Sequence, residues 1–577
     1  MSYSLSGCIG YGDFDKADSL LQEVKDLLDV YAINSEIYTT RQKRIVPTLP
    51  TGIKLYPYEV SEYEKNGYGK WTYDNGTDSG KLADIMKAGY SNTSSTATNA
   101  AKLLRFFAIT DIHITDKESP AQLIYLAHKV FGLGGNALSV YSAVMLYTTH
   151  VLNAAIQTVN AIHKQNPIDF GISLGDTCNS TQYNELRWYI DVLDGGNINP
   201  DSGVKDDPLR GSSNDYQDEY KAAGLAHSIP WYQAIGNHDQ FWMGSKPVSD
   251  SPLPGHVLRS AFVGEEILNK GNVISDFGID KTGYYMGVLD GRTLFGDVAS
   301  AGPVASFTTV PKTPADSKRR SVTSREWMNE YFTTTSNPVG HGFSQANITD
   351  DFACYSFEPK SGLPIKVIVL DDTVKDGTPG LDPSKHVYGY GNLDKKRYDW
   401  LVSELTEGQN NNKLMIIAAH VPIGVEPAGS PTGWWSNSYV SEKGLIAELN
   451  KYPNLLLWIA GHRHLNTITA FKSPDAGRPE LGFWEVETSS LREFPQQFRT
   501  FEILRNSDNT ISMLVTDVDP AAKAGSFAET SRSYGIAAAQ TFGASMGRLY
   551  STNAELVKTL NATMSAMIQN YGTPISK

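Results

Sequence analysis

The chain predicts an α/β protein: a core of sheets covered by helices, arranged as a two-sheet sandwich. Three observations carry this. Apolar runs of strand length recur at 103–109, 170–174, 230–235, 365–370, 414–419 and 455–460. Helical stretches stand between the early runs, at about 137–165 and at 184–193, and alternation of strand and helix is the pattern of sheets with helices on their faces. A later run of short apolar segments, 483–486, 500–504 and 511–515, reads as antiparallel strands.

Taken in order, residues 1–100 carry no catalytic signal. Asp18 to Ala32 spaces Leu20, Leu21, Val24, Leu27 and Leu28 as a helix does. Residues 67–95 are rich in Gly, Asn, Ser, Thr and Tyr and read as loops with short strands. The long helix is stopped by Pro167. Its uncharged reach, about 130–162, holds Asn136, Ser139, Ser142, His150, Asn153, Gln157 and Asn160. It is too polar to span a membrane and reads as a buried helix. Residues 195–215 are a turn-rich insertion. Residues 240–350 lose the strand–helix rhythm and read as an inserted cap; their basic triplet Lys318-Arg319-Arg320 reads as solvated surface. A closing helix is expected at 554–570.

The totals exclude some functions. With 577 residues, 40% hydrophobic and 20% charged, the chain is long enough for a large core and more than one domain. A net charge of -13 argues against a broad nucleic-acid or anionic-membrane surface. Three cysteines, Cys8, Cys178 and Cys354, are too few for a disulfide framework. No basic and apolar leader opens the chain, but Leu5-Ser6-Gly7-Cys8 resembles the cleavage box of bacterial lipoproteins. An exported, periplasmic or lipid-anchored enzyme is the expectation, with the cytoplasm as the alternative.

The chemistry is concentrated where the apolar runs end. The first run is followed by Asp111-Ile112-His113. In an extended continuation, residues two apart share a side, so the two side chains can point together from a strand's carboxyl end, where open α/β sheets bind ligands. The next runs end in Gly175-Asp176, Gly236-Asn237-His238-Asp239, His420 and Gly461-His462-Arg463-His464. Five of the twelve histidines fall here. Singly, each residue has a plain reading: a core histidine, a turn Asn, an Asp that caps a helix. Together they supply carboxylate, amide and imidazole ligands suited to Mn, Fe or Zn rather than Mg or Ca.

The order D-x-H, G-D, G-N-H-[DE], H, G-H-x-H resembles the calcineurin-like metallophosphoesterase superfamily, over about 101–240 and 365–517. Within it, Asn184-Glu185-Leu186-Arg187-Trp188 and Pro495-Gln496-Gln497-Phe498 make the chain look most like the bacterial exported, long-insert members. The resemblance implies a four-layer αββα sandwich of two mixed sheets flanked by helices, with an N-terminal extension and a large insertion. Its segments are 1–100 as an extension wrapping the core, 101–240 and 365–517 as the two core halves, 241–364 as the inserted cap and 518–577 as a helical tail. It implies two divalent cations, manganese first, with iron or zinc as alternatives. Asp111, His113 and His464 hold one, Asn237, His420 and His462 hold the other, and Asp176 bridges them.

On this reading a phosphate ester is hydrolysed without a covalent intermediate, by hydroxide that the cations acidify. His238 stabilises the transition state or protonates the leaving oxygen, and Asp239 orients it. Asn179 is a candidate phosphate contact. Arg463 reads as structural, and Arg187 as exposed on its helix. Thr177-Cys178-Asn179 follows Asp176, and Tyr183 is too far along to match the metal-binding tyrosine of purple acid phosphatases. The expected activity is that of a phosphodiesterase or broad phosphoesterase. A phosphomonoesterase, a hydrolase of another bond and a non-catalytic metal-binding module are the alternatives.

Overall fold

The structure, a computed structural model, describes residues 39–78, 80–87, 90, 97–125, 142–204, 207, 209–211, 214–267, 283–382, 388–427, 429–430, 432–543 and 552–575. The expected helix at 18–32, the Cys8 box and the start of the long helix lie outside them.

In chain order the core elements are β1 (Asn99–Ile109), α1 (Thr148–Gln165), β2 (Phe170–Ser173), α2 (Tyr183–Asp194), β3 (Trp231–Gln233), β4 (Tyr355–Phe357), β5 (Ile365–Val369), α3 (Lys395–Asn410), β6 (Leu414–Ala418), α4 (Glu442–Leu449), β7 (Leu455–Ala460), β8 (Thr467–Phe471), β9 (Phe483–Glu487), β10 (Phe498–Asn506), β11 (Ile511–Val518), α5 (Phe527–Phe542) and β12 (Ala554–Lys558). One mixed sheet runs β12-β11-β10-β1-β2-β3, with Lys81–Leu82 outside β12 and Thr573–Pro574 on β1. The other runs β4-β5-β6-β7-β9-β8. The fold is an α/β sandwich.

Side-chain alternation along the strands builds the layers. On β5, Ile365, Val367 and Val369 enter the core shared with Phe106, Phe501 and Ile503 of the first sheet. Ile368 turns the other way, to Leu401 and Leu405 of α3 and Leu445 and Leu449 of α4. Phe106 stacks between Phe170 and Phe501, with centroids 4.8 and 4.6 Å away, which locks β1 to both its neighbours. Val151, Leu152, Ala155, Ile156, Val159 and Ile162 of α1 give a helical stripe to the same core. The stretch from Lys43 to Tyr73 wraps α5: Ile45 meets Ile536, and Tyr63 and Tyr68 meet Ala537.

Several expectations are corrected. Phe483–Glu487 runs parallel to β7 and pairs antiparallel with Thr467–Phe471, a strand whose polar threonines hide it. The expected closing helix is β12, paired with β11; α5 supplies the tail's long helix, and the helix at Ala562–Met567 has only six residues. Arg319 is not solvated. It is fully buried and binds Asp116 Oδ2 at 3.3 Å and Ser202 Oγ at 2.7 Å. Arg320 lies over the Tyr183 ring. Arg187 pairs with Asp191 and Glu330 rather than standing free. No described helix is long and apolar enough to cross a membrane. Cys178 and Cys354 are free and buried.

Candidate metal centre

β1, β2 and β3 are parallel neighbours in one sheet, and β6 and β7 in the other. Their carboxyl ends deliver the five motifs to one place. The delivery is not by strand alternation, as the spacing of Asp111 and His113 predicts. β1 ends at Ile109, and Asp111 and His113 both stand at positive φ, 49° and 47°. Asp176, His462 and His464 do too, at 53°, 73° and 59°. Asp and His tolerate this region better than most residues, but it stores strain, and such residues gather at functional sites. Main-chain bonds tie the turns together: Asp111 N–H donates to Gly175 O at 3.1 Å, and His113 N–H to Asp176 O at 3.0 Å.

On one side, Asp111 Oδ1 lies 3.1 Å from His464 Nε2, and His113 Nε2 lies 3.2 Å from His464 Nε2. Thr110 and the His462 amide occupy Asp111 Oδ2, at 2.8 and 2.9 Å, leaving Oδ1 buried with no hydrogen bond. On the other side, Asn237 Oδ1 lies 3.0 Å from His420 Nε2 and 3.1 Å from His462 Nδ1, and those two nitrogens are 3.2 Å apart. Between the two, Asp176 Oδ2 is 3.7 Å from His113 Nε2 and 3.2 Å from His420 Nε2. Its Oδ1 accepts the His238 amide at 2.8 Å.

The surroundings decide which atoms face inward. The Leu174 carbonyl, 2.9 Å from His420 Nδ1, can only accept, so that nitrogen carries the proton and Nε2 turns a lone pair inward. Glu493, 2.6 Å from His464 Nδ1, does the same for that ring. Asn237 Nδ2 donates to Gly244 O at 3.1 Å, which turns Oδ1 inward. Lone pairs from nitrogen and oxygen therefore converge at both places, and such a donor set fits a cation. Groups of Asp and His here could hold a metal ion: Asp111, His113 and His464; His113, Asp176 and His238; Asp176, His420 and His462. The electrostatics agree. Burial disfavours charge on His420, but the Asp176 carboxylate outweighs it and lifts the pKa to about 10. Burial also opposes charge on His464, yet Glu493 and Asp111 hold its pKa well above the usual value. His462, buried against His420, is pushed down to about 3. The buried carboxylates thus favour positive charge beside these two rings, which a proton or a cation on the inward nitrogen can supply.

His238 stands edge-on to His113, with centroids 4.6 Å apart, and its Nδ1 lies 2.6 Å from Asn179 O. Asp239 does not orient it. Asp239 is fully buried behind the centre and accepts from five donors: the amides of Asp176, Thr177, Cys178 and Gly236 and the Thr177 hydroxyl. From the one-turn helix Asn237–Gln240 it reaches back to the amide of the preceding Gly236 and across to the turn that follows β2. The Asn179 side chain, expected as a phosphate contact, is engaged elsewhere: it donates to Gln122 Oε1 and accepts from Arg492 Nη1 at 2.8 Å. Arg463 is structural, paired with Glu487 and Glu426.

The structure thus brings together Asp111, His113, Asp176, Asn237, His238, His420, His462 and His464. It sets Asp239 and the Asn179 side chain behind them as supports. Glu493, Arg492 and Gly244 escape a sequence reading. Glu493 carries only the weak signal of a carboxylate soon after the strand β9.

No protein-family model matches the chain, and no curated protein matches it. Solved structures do. A dimetal phosphatase from Danio rerio is 12% identical, with 73% of this chain and 97% of that chain covered and a TM-score of 0.36. GAP50, the anchor in the inner membrane complex of Plasmodium, is 11% identical, with 82% and 95% covered and a TM-score of 0.30. The sulfate thiohydrolase SoxB of Thermus thermophilus is 11% identical, with 78% and 62% covered and a TM-score of 0.29. At these scores the likeness carries no functional weight, and the function is read from the geometry of the centre.

Proposed function

We propose that the protein is a dinuclear metal-dependent phosphoesterase. One observation carries the reading: a single carboxylate oxygen, Asp176 Oδ2, lies between His113 Nε2 and His420 Nε2, each backed by its own group of inward lone pairs. Asp111, His113 and His464 would hold one divalent cation and Asn237, His420 and His462 the other, with Asp176 shared. The mixed imidazole and oxygen donors fit manganese first, and iron or zinc as well. When bound, the cations lower the pKa of water and offset charge on a phosphoryl group.

The chain's own residues supply the rest. Asp176 and Asn237 are held by His238 N–H and Gly244 O, so the ligand atoms are aligned before anything binds. His238 keeps its Nδ1 proton on the Asn179 carbonyl, so the proton it exchanges with a leaving oxygen is the one at Nε2. Burial lowers its pKa, so Nε2 rests with a lone pair, and a proton taken up there is readily passed on to a leaving oxygen. Phosphodiesters or a broad range of phosphate esters are the proposed substrates, with monoesters as the alternative on the same centre.

The test is a paired assay. Protein stripped of metal and reloaded with Mn, Fe or Zn is given bis-p-nitrophenyl phosphate and p-nitrophenyl phosphate, beside Asp176→Asn. Metal-dependent turnover lost in the variant supports the reading, and the ratio of the substrates sorts diester from monoester. No turnover with any metal, from protein that binds two cations per chain, would count against it.

A further inference from the structure

The stretch that follows the Asn237–Gln240 turn does more than leave the core. The short strand Phe241–Trp242 runs into a tight turn, with Met243 at φ 48° and Gly244 at φ 67°. Gly244 N–H closes the turn on Phe241 O at 2.9 Å. Trp242 anchors it: its ring is buried against Ala121, Phe262 and Met286, and its Nε1 donates to Ala121 O at 3.1 Å. The turn thereby lies on the Asn237–His238 pair. A Cβ on Gly244 would sit 2.4 Å from Asn237 Nδ2, His238 Cδ2 and His238 Nε2. Behind it stands Gly389, at φ 93°, whose own Cβ would come within 2.6 Å of Gly244 O. Neither glycine has room for a side chain. The atoms facing Gly244 are the amide nitrogen that orients a proposed ligand and the imidazole nitrogen proposed to meet the substrate.

We propose that Gly244 is a positioning and specificity-determining residue of this site: its carbonyl selects which end of the Asn237 amide faces His420 and His462, and its missing side chain keeps open the approach to His238 Nε2. The inference rests on the phosphoesterase reading. An amide can turn either end inward, and nothing about Asn237 itself chooses the oxygen. The Gly244 carbonyl accepts only from N–H, so it holds Nδ2 outward. Any side chain at 244 enters the space beside His238 Nε2 and displaces the carbonyl that Asn237 needs. It therefore weakens the second cation site and narrows the path of the ester together. Bulky esters feel the narrowing first.

The test uses the full chain with Gly244→Ala, Gly244→Asn and, as a control for backbone strain, Gly362→Asn. Asparagine tolerates positive φ best among side-chain-bearing residues. Gly362 shares the conformation, at φ 77°, but has nothing within 4 Å of its Cβ position. Manganese binding is read by calorimetry and elemental analysis, and kcat/KM for p-nitrophenyl phosphate and its bis ester by absorbance. Both Gly244 variants should bind the second equivalent of manganese about 10–100-fold more weakly. They should also lose more kcat/KM on the diester than on the monoester, while Gly362→Asn matches the wild type. A Gly244→Asn protein with wild-type manganese affinity and an unchanged substrate ratio would overturn the proposal. So would two Gly244 variants that fail to fold beside a folded Gly362→Asn, since the glycine would then serve folding and not the site. If the wild type hydrolyses neither ester, the phosphoesterase reading falls, but the manganese affinities still decide the positioning role.

Discussion

Glu493 Oε1 sits 2.6 Å from Nδ1 of His464, on the side of the ring away from the centre. The two residues belong to different loops, and the bond fixes both the tautomer and the tilt of the imidazole. His464 in turn pulls the Glu493 pKa down, although burial alone would raise it. Glu493→Gln should therefore weaken cation binding on the Asp111 side by about 10–100-fold. Calorimetric titration with manganese would show it, with the weaker isotherm confined to one of two sites.

Asp239 clamps the turn that carries Asp176. Its five donors come from Gly236 and from Asp176 to Cys178. Asp239→Asn would set an NH2 against donors that need an acceptor. A stability loss of about 2–3 kcal/mol is expected, with metal affinity falling as well. Urea unfolding read by fluorescence would measure the first.

Arg319 and Asp116 form a fully buried pair at 3.3 Å, beneath the loop that carries Asn179 and Gln182. Arg319→Met would leave Asp116 charged and buried without its partner. The expected cost is about 3–5 kcal/mol, against about 0.5 kcal/mol or less for the exposed neighbour in Lys318→Ala. Denaturant midpoints of the two variants compare them directly.

Lys558 offers a pH test away from the metal centre. Its ammonium is buried on the carbonyls of Glu480 and Gly482, and burial lowers its pKa to about 7. The unfolded chain keeps the ordinary value near 10.5. Between those values the unfolded state binds more protons, so this group's contribution makes stability rise with pH from about 7 towards 10.5. Lys558→Met should remove that slope. Thermal melts of both proteins at pH 7, 8 and 9 would show the wild type gaining stability relative to the variant as the pH rises.

The proposed ligands are legible because each follows an apolar strand and each motif is short, so local spacing is enough to find them. How they are aimed is not legible. Asp111 and His113 look like alternating strand residues, but they point together because both turn at positive φ once β1 has ended. The supports are hidden for a different reason. His464 and Glu493 are far apart in sequence, as are Asn179 and Arg492, and no periodicity links a ring to the loop behind it. Lys318-Arg319-Arg320 misleads because a charge run reads as surface until a buried carboxylate, Asp116, is folded against its middle member. Ala554–Lys558 reads as a helix start, yet its valine and leucine are buried in a strand paired between β11 and Lys81–Leu82.

The most direct test of the two-cation centre is anomalous diffraction from crystals of manganese-loaded protein, collected on both sides of the manganese edge. Two peaks about 3.5–4 Å apart are predicted, one against Asp111, His113 and His464, the other against Asn237, His420 and His462, with the Asp176 carboxylate between them. A single peak, or two peaks that do not share Asp176, would contradict it.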